Sequence, residues 1–331
     1  ERLIWEMRAM IRLLALLCLL CAAPALGQIA PEAYPARPIR MIVPFAAGGS
    51  ADLVARIAAQ GMSEKLGQSI AVENRGGSGG VIGSEAVLAA PADGYTIAFH
   101  SMSSAVLNAG LYRNLSFDVR RAFIPVSLVG TVPNIVIINP RLPAANLAEF
   151  VALIRANPGK YSYASSGAGT IVHLSAHMLA SMSGAEMLHV PYRGSGPAMS
   201  DLLAGRIDMM VDTLPSVIPQ VRAGQLRALA MGTRQRNPTL PDVPTAEEAG
   251  LLGYESYNWH AVFAPQGTPP AIVARLERAA RDAVADPAIR QRLMDVGVDP
   301  RATSAAELAA FWDQQLALWI PIIRASGATA D

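Results

Sequence analysis

From residue 38 onward, short apolar runs alternate with longer stretches of helical periodicity. Residues 39–43 (IRMIV) have the length and composition of a buried strand. Residues 51–66 follow, with Leu53, Val54, Ile57, Ala58, Met62 and Leu66 on one helical face. A strand at 69–73, a glycine-rich turn and a helix over about 81–90 come next. The turn Pro91-Ala92-Asp93-Gly94 announces a strand at 95–99. This β-α-β-α-β order predicts a parallel sheet covered by helices.

The pattern restarts after Pro133. Strands are expected at 135–138, 161–164, 187–190, 209–211 and 226–231. Helices are expected between them, at 147–156, 170–182, 197–204 and 217–223. A Pro-rich loop (237–244) and a long extended run (254–263) follow. Two or three helices close the chain, including 270–285 and 307–323; Trp312 and Trp319 in the last of them are read as core packing. The fold class is α/β. Two such blocks with a return segment suggest two lobes, the chain crossing between them near 126–133 and 254–263.

Before the first strand the pattern changes. Residues 10–20 (MIRLLALLCLL) are apolar, with Arg8 and Arg12 at their start and small residues up to Gly27. A basic start, a short apolar stretch and small residues at the end describe a secretory signal peptide, residues 1–27. Its apolar stretch is shorter than the about 20 residues a membrane-spanning helix needs. The six residues before Met7 read as an extension upstream of the true start. Cys18 and Cys21 are each preceded by Leu, where a lipid-attachment site wants a small residue, so an exported protein without a lipid anchor, placed in the periplasm, is expected.

Composition narrows the function. The chain of 331 residues is 52% hydrophobic and 16% charged, which excludes a disordered chain. Lys+Arg is 27 and Asp+Glu is 26, so no bulk charge attracts nucleic acid. Loss of residues 1–27 removes Arg2, Arg8, Arg12, Glu1 and Glu6 and leaves 24 charges of each sign. Both cysteines lie in the leader, which excludes a disulfide scaffold and a Cys-ligated zinc site in the body.

Three loops join a predicted strand to a predicted helix, the ligand-binding end of a parallel sheet. The first runs from Pro44 to Asp52 through Phe45, Ala47, Gly48, Gly49 and Ser50. Its glycines let the backbone approach a ligand, free N–H groups at a helix start attract anions, and Asp52 suits the first turn. The second, Asn74 to Gly83, misses GxGxxG and carries no P-loop Lys. It matches GxSxG literally at Ser78, and Asp242 and His260 are available later in the chain, so an exported serine hydrolase is a rival reading. The third includes Ser165, Ser166, Gly167 and Thr170, hydroxyls and N–H groups suited to a carboxylate. His173 and His177 have zinc-like i, i+4 spacing, but Leu174 replaces the glutamate of HExxH, and no metal is expected. His189 reads as a hydrogen-bonded strand residue.

In this order the segments resemble a known family, the Bug-type extracytoplasmic solute receptors of tripartite tricarboxylate transporters. They are Tyr34-Pro35, Pro44-Phe45 with Gly48-Gly49 and Asp52, Glu73 to Gly80, and Pro91 to Thr96. His189 to Gly194, Asp212, Leu229-Ala230, Leu240 to Thr245, and Trp259 with Pro265 and Gly267-Thr268-Pro269 continue the match, which spans nearly all of residues 34–325. The resemblance implies a type II periplasmic binding protein fold of two Rossmann-like lobes joined by crossover strands. One lobe would hold 34–133 plus 255–331, the other 134–254.

It further implies a solute-binding protein, not an enzyme. A small carboxylate would be held in the interlobe cleft without a cofactor and delivered to membrane permease subunits. A sensor reporting to a membrane signalling protein would use the same fold. A monomer is the default state. By motif, the Phe45–Asp52 loop forms one wall, Ser101 and Ser103 join it, and Ser165, Ser166, Gly167 and Thr170 face them. Tyr192, Arg193 and Asp212 complete the expected set. Three positions depart from the family's usual pattern: Ala47 and Gly76 stand where Pro is common and are expected to loosen their loops, and Val211 stands where Phe is frequent and is expected to reshape the pocket floor.

Overall fold

The first strand, β1 (Ile39–Val43), leads through α1 (Ser50–Leu66) to β2 (Ile70–Asn74), and α2 (Val81–Leu88) leads to β3 (Thr96–Ser101). A π-type turn over Ser103–Leu107, α3 (Asn108–Leu111) and α4 (Val119–Ala122) precede β4 (Phe123–Ile138). The second block runs α5 (Leu147–Arg155), β5 (Ser162–Ser165), α6 (Ile171–Met182), β6 (Leu188–Pro191) and α7 (Ser195–Leu203). It ends with β7 (Met209–Thr213), α8 (Leu214–Arg222) and β8 (Arg227–Met231). The chain returns in β9 (Tyr257–Pro265), then α9 (Pro270–Ala285), α10 (Pro287–Asp295), β10 (Asp299–Pro300) and α11 (Ala305–Ser326). The computed structural model describes residues 34–326 and 329–330. The expected signal peptide, 1–27, lies outside the described residues. From Pro35 onward the chain clusters as one unit.

Pairing divides the strands into two groups that share β4. In the first, β1 lies parallel between β2 and β3, and β9 runs antiparallel to β3 and to the Phe123–Pro133 part of β4. In the second, Asn134–Ile138 of β4 pairs antiparallel with β7 and β8, while β5 lies parallel between β7 and β6. The sequence pattern predicts a strand only from residue 135, with a crossing before it. The structure runs both together into one 16-residue strand. Pro125 and Pro133 hid this continuity. A proline cannot donate to a ladder and sits at irregularities; here Pro125 adjoins a register shift against β9, and Pro133 marks the change of partner.

One apolar core runs through both groups, and a further one lies within the second. Phe123 and Phe263 flank the buried His100, with ring centroids 4.6 Å and 5.4 Å from the imidazole, and Trp312 packs on Phe263 at 4.9 Å. The Trp312 indole donates to the Ala105 carbonyl at 2.7 Å, which fixes α11 against the turn after β3. Trp319 packs at the edge of the same cluster. In the second group Phe150, Ile154, Leu179, Met209, Val211 and Tyr254 pack together. Val211 is fully buried in that cluster and does not line the cavity described below, so its exchange for a frequent Phe alters core packing rather than the pocket floor. No helix of the described residues is long and apolar enough to cross a membrane.

Candidate functional site

Parallel strands deliver their carboxyl ends, and the helices that follow, to one side of a sheet. Both groups do this toward the same narrow cavity, of about 30 Å3. From the first group come Phe45 and Gly49 of the loop after β1, Ser50 and Ala51 opening α1, Ser101 ending β3 and Ser103 after it. From the second come Ser166, Ile171 and Val172 opening α6, Ser195 opening α7, and Thr213, the N-cap of α8. The return strand β9 adds Asn258 and His260.

Four helix N-termini therefore converge on one space. Each carries a partial positive charge of about half a unit. Gly49, Gly194 and Thr213, the N-caps of α1, α7 and α8, make no side-chain capping bond. Their first-turn N–H groups are the kind of donors that bind anions. Among the described residues, no side chain charged at neutral pH lines the cavity: burial pushes His260 down to about 3. The site combines backbone positive potential with hydroxyls and one neutral imidazole.

Other residues hold the lining in place. Asp52 accepts the Gly48 N–H at 3.0 Å and pairs with Arg56 at 2.9 Å, so it fixes the turn before α1 and stands behind the wall. Ser165 accepts the Gly167 N–H at 3.2 Å and lies 2.7 Å from His189 Nε2. Thr170 receives the Ser166 hydroxyl at 3.1 Å and donates to the Gly167 carbonyl at 2.7 Å. Asp212 is fully buried, and desolvation raises its carboxyl above the usual range. It accepts the hydroxyls of Ser195 (2.8 Å) and Ser216 (2.7 Å) and the Thr213 N–H (2.8 Å).

The two groups also touch across the cavity. Ser103 Oγ accepts the Ile171 N–H at 3.0 Å, meeting the first turn of α6 from the opposite side. The Ala46 N–H donates to the Arg193 carbonyl at 3.3 Å. A Cβ on Gly196 would stand 2.2 Å from the Ala47 carbonyl oxygen, and one on Gly76 would stand 2.5 Å from that of Arg193. Gly76, expected to loosen its loop, instead permits a backbone approach that a side chain would block. Ala47 contributes a carbonyl oxygen to the same contact.

Of the residues singled out in the sequence, Phe45, Gly49, Ser50, Ser101, Ser103 and Ser166 line this cavity. Gly167, Tyr192 and Arg193 line a second, outer cavity together with Ser78 and Gly79. There the Tyr192 hydroxyl donates to Asp201 at 2.7 Å, and burial with this bond pushes Tyr192 up to about 12. The sequence reading missed Ser195, Thr213, Asn258 and His260 as lining residues. Each adjoins a motif residue: Ser195 follows Arg193-Gly194, Thr213 follows Asp212, and Asn258 and His260 flank Trp259. Their register beside those motifs was the available signal.

The hydroxyl–imidazole pairs do not build a nucleophile. His260 Nε2 lies 2.9 Å from Ser50 Oγ, not on Ser78, and an imidazole depressed to about 3 is a weak base. His173 and His189 stack at 3.9 Å, and no group of His, Cys, Asp or Glu among the described residues is arranged to hold a metal.

Residues 54–328 match the family model described as the tripartite tricarboxylate transporter family receptor. The chain belongs to this family. As a receptor of this kind it is 37% identical over 322 residues to protein BugT of Bordetella pertussis, covering 96% of this chain and 98% of the relative. A solved R. palustris protein with adipate shares 34% identity at a TM-score of 0.86, covering 89% of this chain and 99% of that one. The malate-bound MatC of Rhodopseudomonas palustris shares 32% identity at a TM-score of 0.82, covering 88% and 100%. The receptor has the mixed α/β periplasmic binding protein fold, in a family of binding proteins rather than enzymes.

Proposed function

We propose that this receptor captures a small dicarboxylate in the cavity between its two strand groups. It then hands the ligand to the membrane subunits of a tripartite tricarboxylate-type transporter, working in the periplasm after removal of residues 1–27. The observation that carries this reading is the convergence of four helix N-termini on an uncharged, hydroxyl-lined space. Such a space favours an anion through N–H groups and dipoles, without a salt bridge. The dicarboxylates held by the two R. palustris relatives supply the substrate class.

The two strand groups act as the two lobes, 34–133 plus 255–331 and 134–254. They meet where β4 changes partners at Pro133 and Asn134 and where the chain re-enters β9. Ligand binding favours the closed arrangement only as far as the ligand contacts both lobes, and Ser103 with Ile171 shows how short that span is. Tyr192 and Arg193 line the second cavity and not this one, so they are not expected to hold the ligand.

The test is a thermal-shift and calorimetric screen of residues 28–331, stripped of copurified ligand. It compares four- to six-carbon dicarboxylates with their neutral diamides. A ligand that binds only the folded state adds about 2.7 kcal/mol at a hundredfold excess over Kd. Stabilisation by acids and not by diamides is the expected result. Equal response to both, or none to any acid, overturns the proposal.

A further inference from the structure

β9 crosses the cavity with Asn258 and His260 on one face, because side chains of a strand alternate with a period of two. Trp259, between them, points the other way and meets Phe311 at 5.6 Å between ring centroids. Asn258 is 5% exposed and His260 1%, and both line the cavity.

One polar atom of each side chain is already engaged by the protein. Asn258 Oδ1 receives the Met102 N–H at 3.2 Å and the Trp259 N–H at 2.8 Å. Two N–H donors on one atom fix which end of the amide is oxygen, so Nδ2 carries its hydrogens the other way. Ser50 Oγ lies 2.9 Å from His260 Nε2. The Ser50 hydroxyl can supply the proton of that bond, which leaves the imidazole hydrogen on Nδ1. Nδ1 is buried and has no partner among the described residues. A buried polar atom without a partner costs stability and calls for an explanation.

We propose that Asn258 Nδ2 and His260 Nδ1 form an uncharged donor pair that reads the second carboxylate of the ligand. The pair thereby selects dicarboxylates over monocarboxylates of equal length. This deepens the carboxylate-receptor reading and rests on it. The first carboxylate goes to the N–H groups at the uncapped starts of α1 and α7, and the second to β9. A ligand with an apolar end there leaves both donors unpaired, and sites built to hydrogen-bond a polar group discriminate strongly against analogues that lack it. The absence of a fixed cation on β9 makes the selection depend on donor placement, not on charge.

Two variants test the pair. Asn258→Asp keeps an oxygen for the Met102 and Trp259 N–H groups and replaces the donor by an anionic acceptor. His260→Phe keeps a ring beside Phe99, with which His260 stacks at 5.7 Å, and removes the donor. Both are titrated calorimetrically with succinate, glutarate and adipate, and with butyrate, valerate and hexanoate, after melting curves establish a folded protein. In the wild type the preferred dicarboxylate is expected to bind about a hundredfold or more tighter than the monocarboxylate of equal length. His260→Phe is expected to weaken that dicarboxylate about tenfold or more, and Asn258→Asp further, while the monocarboxylate changes less than about threefold. His260→Gln, which restores an N–H donor, is expected to recover part of the loss.

If the wild type binds dicarboxylates and both variants bind them equally well, the donor pair is wrong and the receptor reading stands. If both variants lose mono- and dicarboxylates alike, the pair serves the fold and the proposal fails. If the wild type binds no carboxylate, the receptor reading fails first and this assignment with it.

Discussion

The Ser195 hydroxyl donates to Asp212 Oδ1 at 2.8 Å, joining the start of α7 to the end of β7. The same carboxylate holds Ser216 and the Thr213 N–H, so one buried side chain sets two lining residues, Ser195 and Thr213. Asp212→Asn keeps the shape but turns an acceptor into a donor facing a hydroxyl. A loss of about 1–3 kcal/mol in unfolding free energy is expected, with a weakening of ligand affinity as Ser195 shifts. Urea denaturation and calorimetry on the same preparation check both. Unchanged affinity would show that Ser195 is positioned by something else.

Gly196 offers a sharper test of closure. Its backbone angle is not in the left-handed region, so Ala is tolerated locally, and within α7 Ala is the better helix former by about 1 kcal/mol. Yet its Cβ would meet the Ala47 carbonyl, from the other strand group, at 2.2 Å. Gly196→Ala is expected to disfavour the arrangement in which the two loops meet, outweighing the helix gain, and to reduce affinity about tenfold or more. Small-angle scattering with saturating ligand should then show a more open particle than the wild type. Wild-type affinity in this variant would mean that the loops do not need to meet.

Ser78 sits at the outer cavity with φ 46, in a GxSxG match that has no histidine on it. The histidine that a hydrolase would need is engaged with Ser50. Ser78→Ala is expected to bind ligand as the wild type does, and neither protein is expected to hydrolyse p-nitrophenyl acetate above the buffer rate. Esterase activity that disappears with Ser78 would revive the hydrolase.

The buried histidines predict an acid-sensitive fold. Burial holds His100 and His260 near about 3 and His173 near about 4, against 6.5 for the ordinary group. Between these values the unfolded chain binds more protons than the folded one, so stability is complete above about pH 6.5 and is lost as pH falls toward about 4. Asp212, displaced upward, gains stability as pH falls and opposes this, so the Asp212→Asn background should show the steeper decline. Scanning calorimetry between about pH 7 and about pH 5 is expected to show a falling melting temperature in both. A level or rising one contradicts the burial of neutral imidazoles.

Much of the fold was legible because its signals are local. The helix over 51–66 and the strand at 39–43 follow from spacing alone, and the observed α1 and β1 agree within a residue. The long β4 was not, because its two prolines read as breaks until β9 and β7 supply its partners. In the site, Ser50 and Ser166 were found because each lies in a loop after a strand end, and Ser103 through the family resemblance. Asp52 was chosen with them on the same grounds, and it turned inward to Gly48 and Arg56. Loop position identifies a neighbourhood; side-chain direction depends on what packs behind it.

The order of apolar and polar residues, by itself, determined an α/β chain of two blocks, the leader-like start, and the glycine and hydroxyl loops at strand ends. These are properties of a few neighbouring residues, set by periodicity and turn chemistry. Only the tertiary structure decided that four helix starts share one cavity, that Gly76 and Gly196 face carbonyls from distant loops, and that Asn258 and His260 close the space. Ser50 and His260 are 210 residues apart and meet at 2.9 Å. Contacts of that kind arise from the pairing of β9 with β3 and β4, a long-range registry that no local window of sequence contains.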